Sequence, residues 1–564
     1  MNEHWSQPFR RWFNNGPDDA TLGRVYRSFS SAIQARGGSW PVAVISLLIV
    51  FISCAITWQL GLPHVSIYGR DIFTFLDGSW RVSQGQIPHV DFYSSLGPIF
   101  YFMQATGLLL ARDHIEGLVY GTVLAGLVLG IWGIAVIRAR LNAIAAVFAI
   151  AFLILFWLAP FPLGEPYYLP SFAMQYNRLG YTILFLAVVE LFGKVGERPS
   201  HVDWGGLSTG IALGCLLFMK ANFFAVGAVI AAGAYVLRVR TLRHAAFVIT
   251  GWLVVFCLIA SYLHWDLLAF WNDLRTAAGA RQTGFHEMRD SARTAARNVT
   301  AMVAMLGLAG IALLRGKGAA AGVLPCLKQP LLIAILILAA DFVLSLSNQQ
   351  RFGFPLTIVA IILFADQLCR AGMESRTAER SAAEPALLLV MAAMVIPFIM
   401  DTVNAWAIHI TMRQNTVLAT SARINSVPLV NLIFDDHADP AWSQSEANGR
   451  ILTGHINDGL QLIREHSGPK DRIACLCYDN PFPYALLRPP MEGGAAFYDY
   501  STNFTERFTP PPERILGNAD VVVYPKTEID SLNVSTLLKI CHNLLAERYH
   551  TVAESRDWIL LKKN

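Results

Sequence analysis

The sequence predicts a polytopic α-helical membrane protein with a small α/β domain at its C-terminal end. Three observations predict it. Apolar residues make up 54% of the 564-residue chain, only 15% is charged, and the mean hydropathy is +0.43. Apolar stretches near the roughly 20 residues of one helical span recur through the first 400 or so residues. Beyond residue 404 the composition turns polar and strand-like runs begin. A soluble fold of this size could not hide so much apolar surface. The formal net charge of +4 is too small to argue for a nucleic-acid partner.

Residues 1–39 are polar and basic, and are expected to be a cytoplasmic segment. Leu22, Val25, Tyr26, Phe29 and Ile33 fall at helical spacing, which reads as a short interfacial helix or, equally, as a disordered tail. Residues 40–404 are read as the transmembrane domain. Hydropathy places about eleven spans there, at 40–61, 116–137, 142–159, 173–193, 206–219, 223–237, 244–263, 299–315, 330–347, 354–369 and 385–404. Residues 99–111 are too short to cross and are expected along the membrane surface. The fifth and sixth spans meet near Lys220 and Asn222, where one bent hairpin would fit.

Orientation follows from Lys and Arg in the short loops. Arg24, Arg27 and Arg36 precede the first span, and Arg138 and Arg140 follow the second. Lys194, Arg238, Arg240, Arg243, Arg315, Lys317 and Arg370 continue the pattern. All fall on one side when the N-terminus is cytoplasmic in an inner (plasma) membrane. The loop after the first span, the loop at 264–298 and residues 405–564 then lie on the extracytoplasmic, periplasmic side. That last segment carries strand-like runs at 472–478 and 520–524, a helix at about 531–548 and a hairpin over 550–562, a pattern that suggests an α/β domain.

The eight cysteines suggest no disulfide framework and no metal site, since no Cys-x-x-Cys or His-x-x-x-His spacing accompanies them. Cys475 and Cys477 are not expected to pair with each other; Cys541 could reach one of them.

Chemistry concentrates in the first loop. Ile72, Phe75, Leu76 and Trp80 form an apolar stripe at helical spacing, so residues 69–83 are expected as a helix on the outer membrane surface. Asp71 falls in its first turn, where the helix dipole favours an anion. Asp77 and Arg81 are four apart and can pair along it. Gly85 ends the helix, Ile87 to Phe92 runs extended around Pro88 and contains Asp91, and Gly97-Pro98 starts a second surface helix. Ionisable groups at a membrane boundary are a functional hypothesis by default. Basic groups on the same side are Lys220, Arg289 and Arg293 on one helix face, and Arg351 in a tight polar turn. Each of these could meet an anionic substrate; solvated or headgroup-facing roles are the bland alternatives.

An Asp just past the first span, a surface helix, a Pro-x-x-Asp-Phe run and then Gly-Pro with an aromatic helix resembles the first extracytoplasmic loop of the GT-C glycosyltransferases. That class includes the protein O-mannosyltransferases and the lipid A aminoarabinose transferases. Gly97-Pro98-Ile99 stands where many relatives carry Lys-Pro-Pro, and Asp71-Ile72 where many carry Asp-Glu, which marks a divergent bacterial branch. The resemblance implies a membrane glycosyltransferase, hexosyl- or pentosyl-transferring. It would move a sugar from a polyprenyl-phosphate donor to an extracytoplasmic glycan, lipid or protein, with inversion. It implies Asp71 as the catalytic base, with Asp77, Arg81, Asp91, Lys220, Arg289, Arg293 and Arg351 available to bind substrate. The cofactor is left open, a divalent metal being one option. The rival reading is a transporter or flippase of a lipid-linked saccharide, kept alive by Asp341 and Asp366 inside spans.

Overall fold

The computed structural model describes residues 39–194, 201–281, 320–347, 354–374, 383–415, 423–435, 449–526 and 530–564, with isolated positions between 288 and 307. The predicted N-terminal interfacial helix, the eighth span as a segment, and Arg351 lie outside the described residues.

The first predicted span is the helix α1 (Trp40–Leu60), followed by the two first-loop helices α2 (Asp71–Ser83) and α3 (Pro98–Leu110). The bundle continues with α4 (Gly117–Arg140), α5 (Ala143–Leu158), α6 (Gln175–Phe192), α7 (Trp204–Leu217), α8 (Ala221–Val236) and α9 (Leu242–Tyr262). A loop helix α10 (Leu267–Ala280) precedes α11 (Ala320–Ser347), α12 (Pro355–Glu374) and α13 (Ala383–Asn415). Every predicted span within the described residues is therefore helical. Five helices are long and apolar enough to cross a membrane, and α3, α5, α7 and α8 are shorter apolar helices. The chain is a multi-pass membrane protein. The last helix runs on past residue 404, to Asn415, with Pro397 inside it.

Two local rules explain how these helices begin and where they sit. Asn142, Asp203 and Thr241 each accept a backbone N–H from the first turn of α5, α7 and α9, so these helix starts are capped. Helices apolar all round split by position. α6 is buried from Leu179 to Phe192 in the centre of the bundle, whereas α1 leaves Leu48, Phe51 and Ile52 exposed, as a lipid-facing helix does.

The C-terminal domain contains α14 (Gly449–His466), β1 (Ile473–Cys475), the short helices α15 (Phe482–Ala485) and α16 (Pro512–Leu516), β2 (Val521–Pro525), α17 (Ser531–Arg548), β3 (Tyr549–Glu554) and β4 (Trp558–Lys563). The sheet order is β1-β2-β4-β3, with β1 parallel to β2 and the other pairs antiparallel. The predicted strands, helix and hairpin all appear. Cys475 and Cys477 are both free, as expected, but their sulfurs lie 3.1 Å apart rather than on opposite faces. Residues two apart on a strand share a face.

This domain sits directly on the first loop. Trp80 Nε1 donates to the Arg488 carbonyl at 3.0 Å, and Arg81 Nη1 donates to the carbonyls of Met491 and Gly493 at 2.8 and 2.9 Å. Tyr93 N donates to Gly494 O, and Gly493 N to Asp91 O. As a result α2 is buried on almost every face, not only along its apolar stripe. Its single internal glycine is required there, since a Cβ on Gly78 would lie 2.2 Å from the Tyr101 ring of α3.

Candidate active site between the first loop and the C-terminal domain

Asp71 is the first residue of α2, as its sequence position suggested, and points to the seam beneath the C-terminal domain. The Tyr478 hydroxyl, three residues past β1, donates to Asp71 Oδ1 at 2.7 Å. Burial pushes the Asp71 carboxyl up to about 7, with the Asp499 and Asp479 charges adding to the rise. The Tyr478 hydrogen bond and the Arg70 charge pull the other way and lose. A helix N-terminus contributes only about 0.3–1 kcal/mol to a carboxylate, less than one pKa unit of about 1.4 kcal/mol, so it cannot offset a rise of this size.

Around Asp71 and its neighbour Arg70 the structure gathers groups from six other segments. Arg70 Nε donates to Asp479 Oδ1 at 2.8 Å, its Nη2 approaches Asp530 Oδ2 at 3.5 Å, and its guanidinium lies 5.3 Å from the Tyr478 ring centroid. Tyr478 is thus held from both ends, since its backbone N–H also donates to Asp530. Burial raises Asp530 and Asp499 each to about 6. Lys220 immediately precedes α8; its Nζ donates to Asn177 Oδ1 at 3.0 Å and lies 4.6 Å from the Tyr176 ring centroid. Tyr176 in turn feels the Asp71 charge. Arg281, immediately after α10, acts electrostatically on Lys220, Tyr176 and Asp499, and its Nε and Nη2 are buried without a hydrogen-bond partner.

The other predicted residues are placed differently. Arg81 Nε and Asp77 Oδ2 form the expected i,i+4 pair at 2.7 Å, with both side chains fully buried. Arg81 carries its remaining hydrogen bonds to the C-terminal domain and stacks on Phe92 at 5.2 Å. The pair therefore clamps the domain to α2. Asp91 Oδ2 accepts from Ile87 N at 2.6 Å and Asp91 N donates to Ile87 O, so the segment expected to run extended is instead a closed turn with His89 at φ 73°. Arg289 and Arg293 are helical and exposed. Asp341 Oδ2 accepts the Thr357 N–H at 2.9 Å, and Asp366 is bound by Arg370 Nε at 2.8 Å and Asn142 N at 2.8 Å. Both intramembrane aspartates thus tie helices together. Arg178 donates to the carbonyls of Phe156 and Phe161 between those two rings. Among the described residues no group of three or more His, Cys, Asp or Glu side chains could hold a metal ion.

Tyr478, Asp499 and Arg281 were missed by sequence reasoning. Asp499 and Tyr478 sit in a polar domain with many such residues, and only the domain contact singles them out. Arg281 could have been found as the first arginine after an apolar loop helix.

No family model and no curated protein matches the chain. It is similar to two solved structures of ArnT from Cupriavidus metallidurans. One is bound to undecaprenyl phosphate (12% identity, 91% of this chain and 97% of that one, TM-score 0.41) and one is in the apo state (14%, 91% and 97%, 0.42). It is also similar to the arabinofuranosyltransferase AftD from Mycobacteria, with 15% identity over 92% of this chain and 40% of that one, at a TM-score of 0.39.

Proposed function

We propose that this protein is a GT-C-type glycosyltransferase that moves a sugar from a polyprenyl-phosphate donor to an extracytoplasmic acceptor, by single displacement and with inversion. The observation that carries the reading is Asp71: a carboxylate set between membrane and domain, poised near 7, and bonded by a tyrosine hydroxyl rather than by an arginine. A general base works best with a pKa near the working pH. In this reading Asp71 Oδ takes the acceptor proton as the acceptor oxygen or nitrogen attacks the anomeric carbon, and the bond to the donor phosphate breaks. Tyr478 holds the carboxylate in place. The phosphate that leaves needs cationic partners, and the candidates are Arg281, whose Nε and Nη2 are buried without a hydrogen-bond partner, and Lys220, which lies within its electrostatic reach. Arg281 suits a phosphate bidentately. Asp499, bonded by the Thr502 side chain, keeps further acceptor positions for sugar or acceptor hydroxyls. The donor class follows the first-loop resemblance. The basic short loops support a cytoplasmic N-terminus, with the site on the opposite side.

The test is sugar transfer in membranes supplied with a radiolabelled polyprenyl-phosphate sugar mixture. Transfer by the wild type that vanishes in Asp71→Asn at equal protein level supports the reading. Transfer untouched by the substitution removes Asp71 as base. Saccharide-lipid translocation without transfer would instead favour the flippase.

A further inference from the structure

We propose that Cys475 and Cys477 are a site of reversible disulfide formation that governs Tyr478, an inference that rests on the glycosyltransferase reading for its effect on activity but not for the bond itself. The two sulfurs lie 3.1 Å apart, and both side chains are buried, 7% and 2% exposed. Both are free thiols in this structure. Cys475 is the last residue of β1, paired to Val523 of β2 and so fixed by the sheet. Cys477 lies beyond the strand, where its sulfur donates to the Asp479 carbonyl at 3.0 Å. The next two residues, Tyr478 and Asp479, reach Asp71 and Arg70.

In the orientation proposed above the pair faces an oxidising compartment, where disulfides persist. The chemistry is thiol–disulfide exchange with an oxidised disulfide partner. One cysteine thiolate attacks a partner sulfur and expels the other partner sulfur as a thiol. The second cysteine then attacks the mixed disulfide, the Cys475–Cys477 bond forms, and the remaining partner sulfur leaves. Two electrons and two protons end on the partner's thiols. Closing the gap to the bond length of about 2.05 Å draws Cys477 toward β1 and removes the S–H that Asp479 O accepts. Tyr478 is carried with it and its hydroxyl retreats from Asp71.

The full-length protein in detergent is treated with oxidised glutathione or with dithiothreitol, and then alkylated and mapped by mass spectrometry. The expected result is loss of two alkylatable thiols, at 475 and 477, with no glutathione retained. Sugar transfer is expected to fall about ten- to a hundredfold on oxidation, the loss expected for one charge-assisted hydrogen bond, and to return with dithiothreitol. Cys477→Ser should transfer like the reduced wild type and ignore the oxidant. Two free thiols after oxidation, or a bond to Cys541, overturns the site. A bond at 475–477 with transfer unchanged overturns its control of Tyr478. Absence of transfer in both redox states of the wild type is failure of the glycosyltransferase reading, which the thiol map detects separately from failure of the bond.

Discussion

The two ends of the helix bundle treat buried carboxylates in opposite ways. At the end away from the first loop, Glu190 is met by Arg140, with Nε at 2.7 Å, and Arg240 donates to the Glu190 and Gly193 carbonyls. Asp366 is met there by Arg370 at 2.8 Å, whose Nη2 reaches the Arg140 carbonyl. At the first-loop end, Asp71 receives a tyrosine hydroxyl, and Asp71 and Asp499 both rise toward neutrality. One end ties helices with opposite charges at contact distance. The other keeps Asp71 and Asp499 close to protonation change, while its nearest arginine, Arg70, pairs with Asp479 instead. The contrast even runs within α2, where Asp77 is paired to Arg81 and Asp71 is not. Structural acids are neutralised by an arginine; the acid proposed to react is left able to exchange a proton.

This comparison can be broken in four ways, from the largest expected effect to the smallest. Asp71→Asn should lower transfer by about a hundred- to ten-thousandfold, with the protein still inserted and folded; activity near wild type would erase the distinction between the ends. Glu190→Ala should do the reverse. Removing one partner of a buried pair costs about 3–5 kcal/mol, so thermal unfolding in detergent should show a large loss, and transfer per folded molecule should change little. Tyr478→Phe should cut transfer roughly ten- to a hundredfold and move the pH–rate profile. The hydroxyl stabilises the ionised Asp71, so its loss raises the Asp71 pKa, and the rise of activity with pH, centred near 7 in the wild type, should shift to the alkaline side. An unshifted profile would mean that the tyrosine only packs.

The smallest effect is on stability. An Asp71 carboxyl at about 7 in the folded protein and near 3.8 in the unfolded chain binds its proton more tightly when folded. Its stabilising contribution is complete below about pH 4 and is lost as pH rises through 7. Asp499, at about 6, acts in the same direction. Asp71→Asn should therefore gain stability relative to wild type between pH 5 and 8, read as a difference in melting temperature that grows with pH. A difference independent of pH would show that the carboxyl is not perturbed in the folded state.

The first loop was the most legible part of the site. The helical spacing of Ile72, Phe75, Leu76 and Trp80 fixed α2, Asp71 fell at its first residue, and the four-residue step from Asp77 to Arg81 predicted their pair. The partners were not legible, because no periodicity links Asp71 to a tyrosine 407 residues away. The expected outer-surface helix is also covered on its polar face, since Trp80 and Arg81 donate hydrogen bonds to the carbonyls of Arg488 and Met491.

The sequence by itself determined where helices and strands form and which of them are apolar enough for a membrane. Those properties depend on residue type and spacing along a few turns, and lipid and backbone hydrogen bonding act on them locally. Only the tertiary structure decided which carboxylates are paired and which are poised. That outcome depends on desolvation and on charges brought within a few ångströms from α2, α6, α8, the end of α10 and the loop after β1, and such distances exist only once the C-terminal domain closes over the first loop.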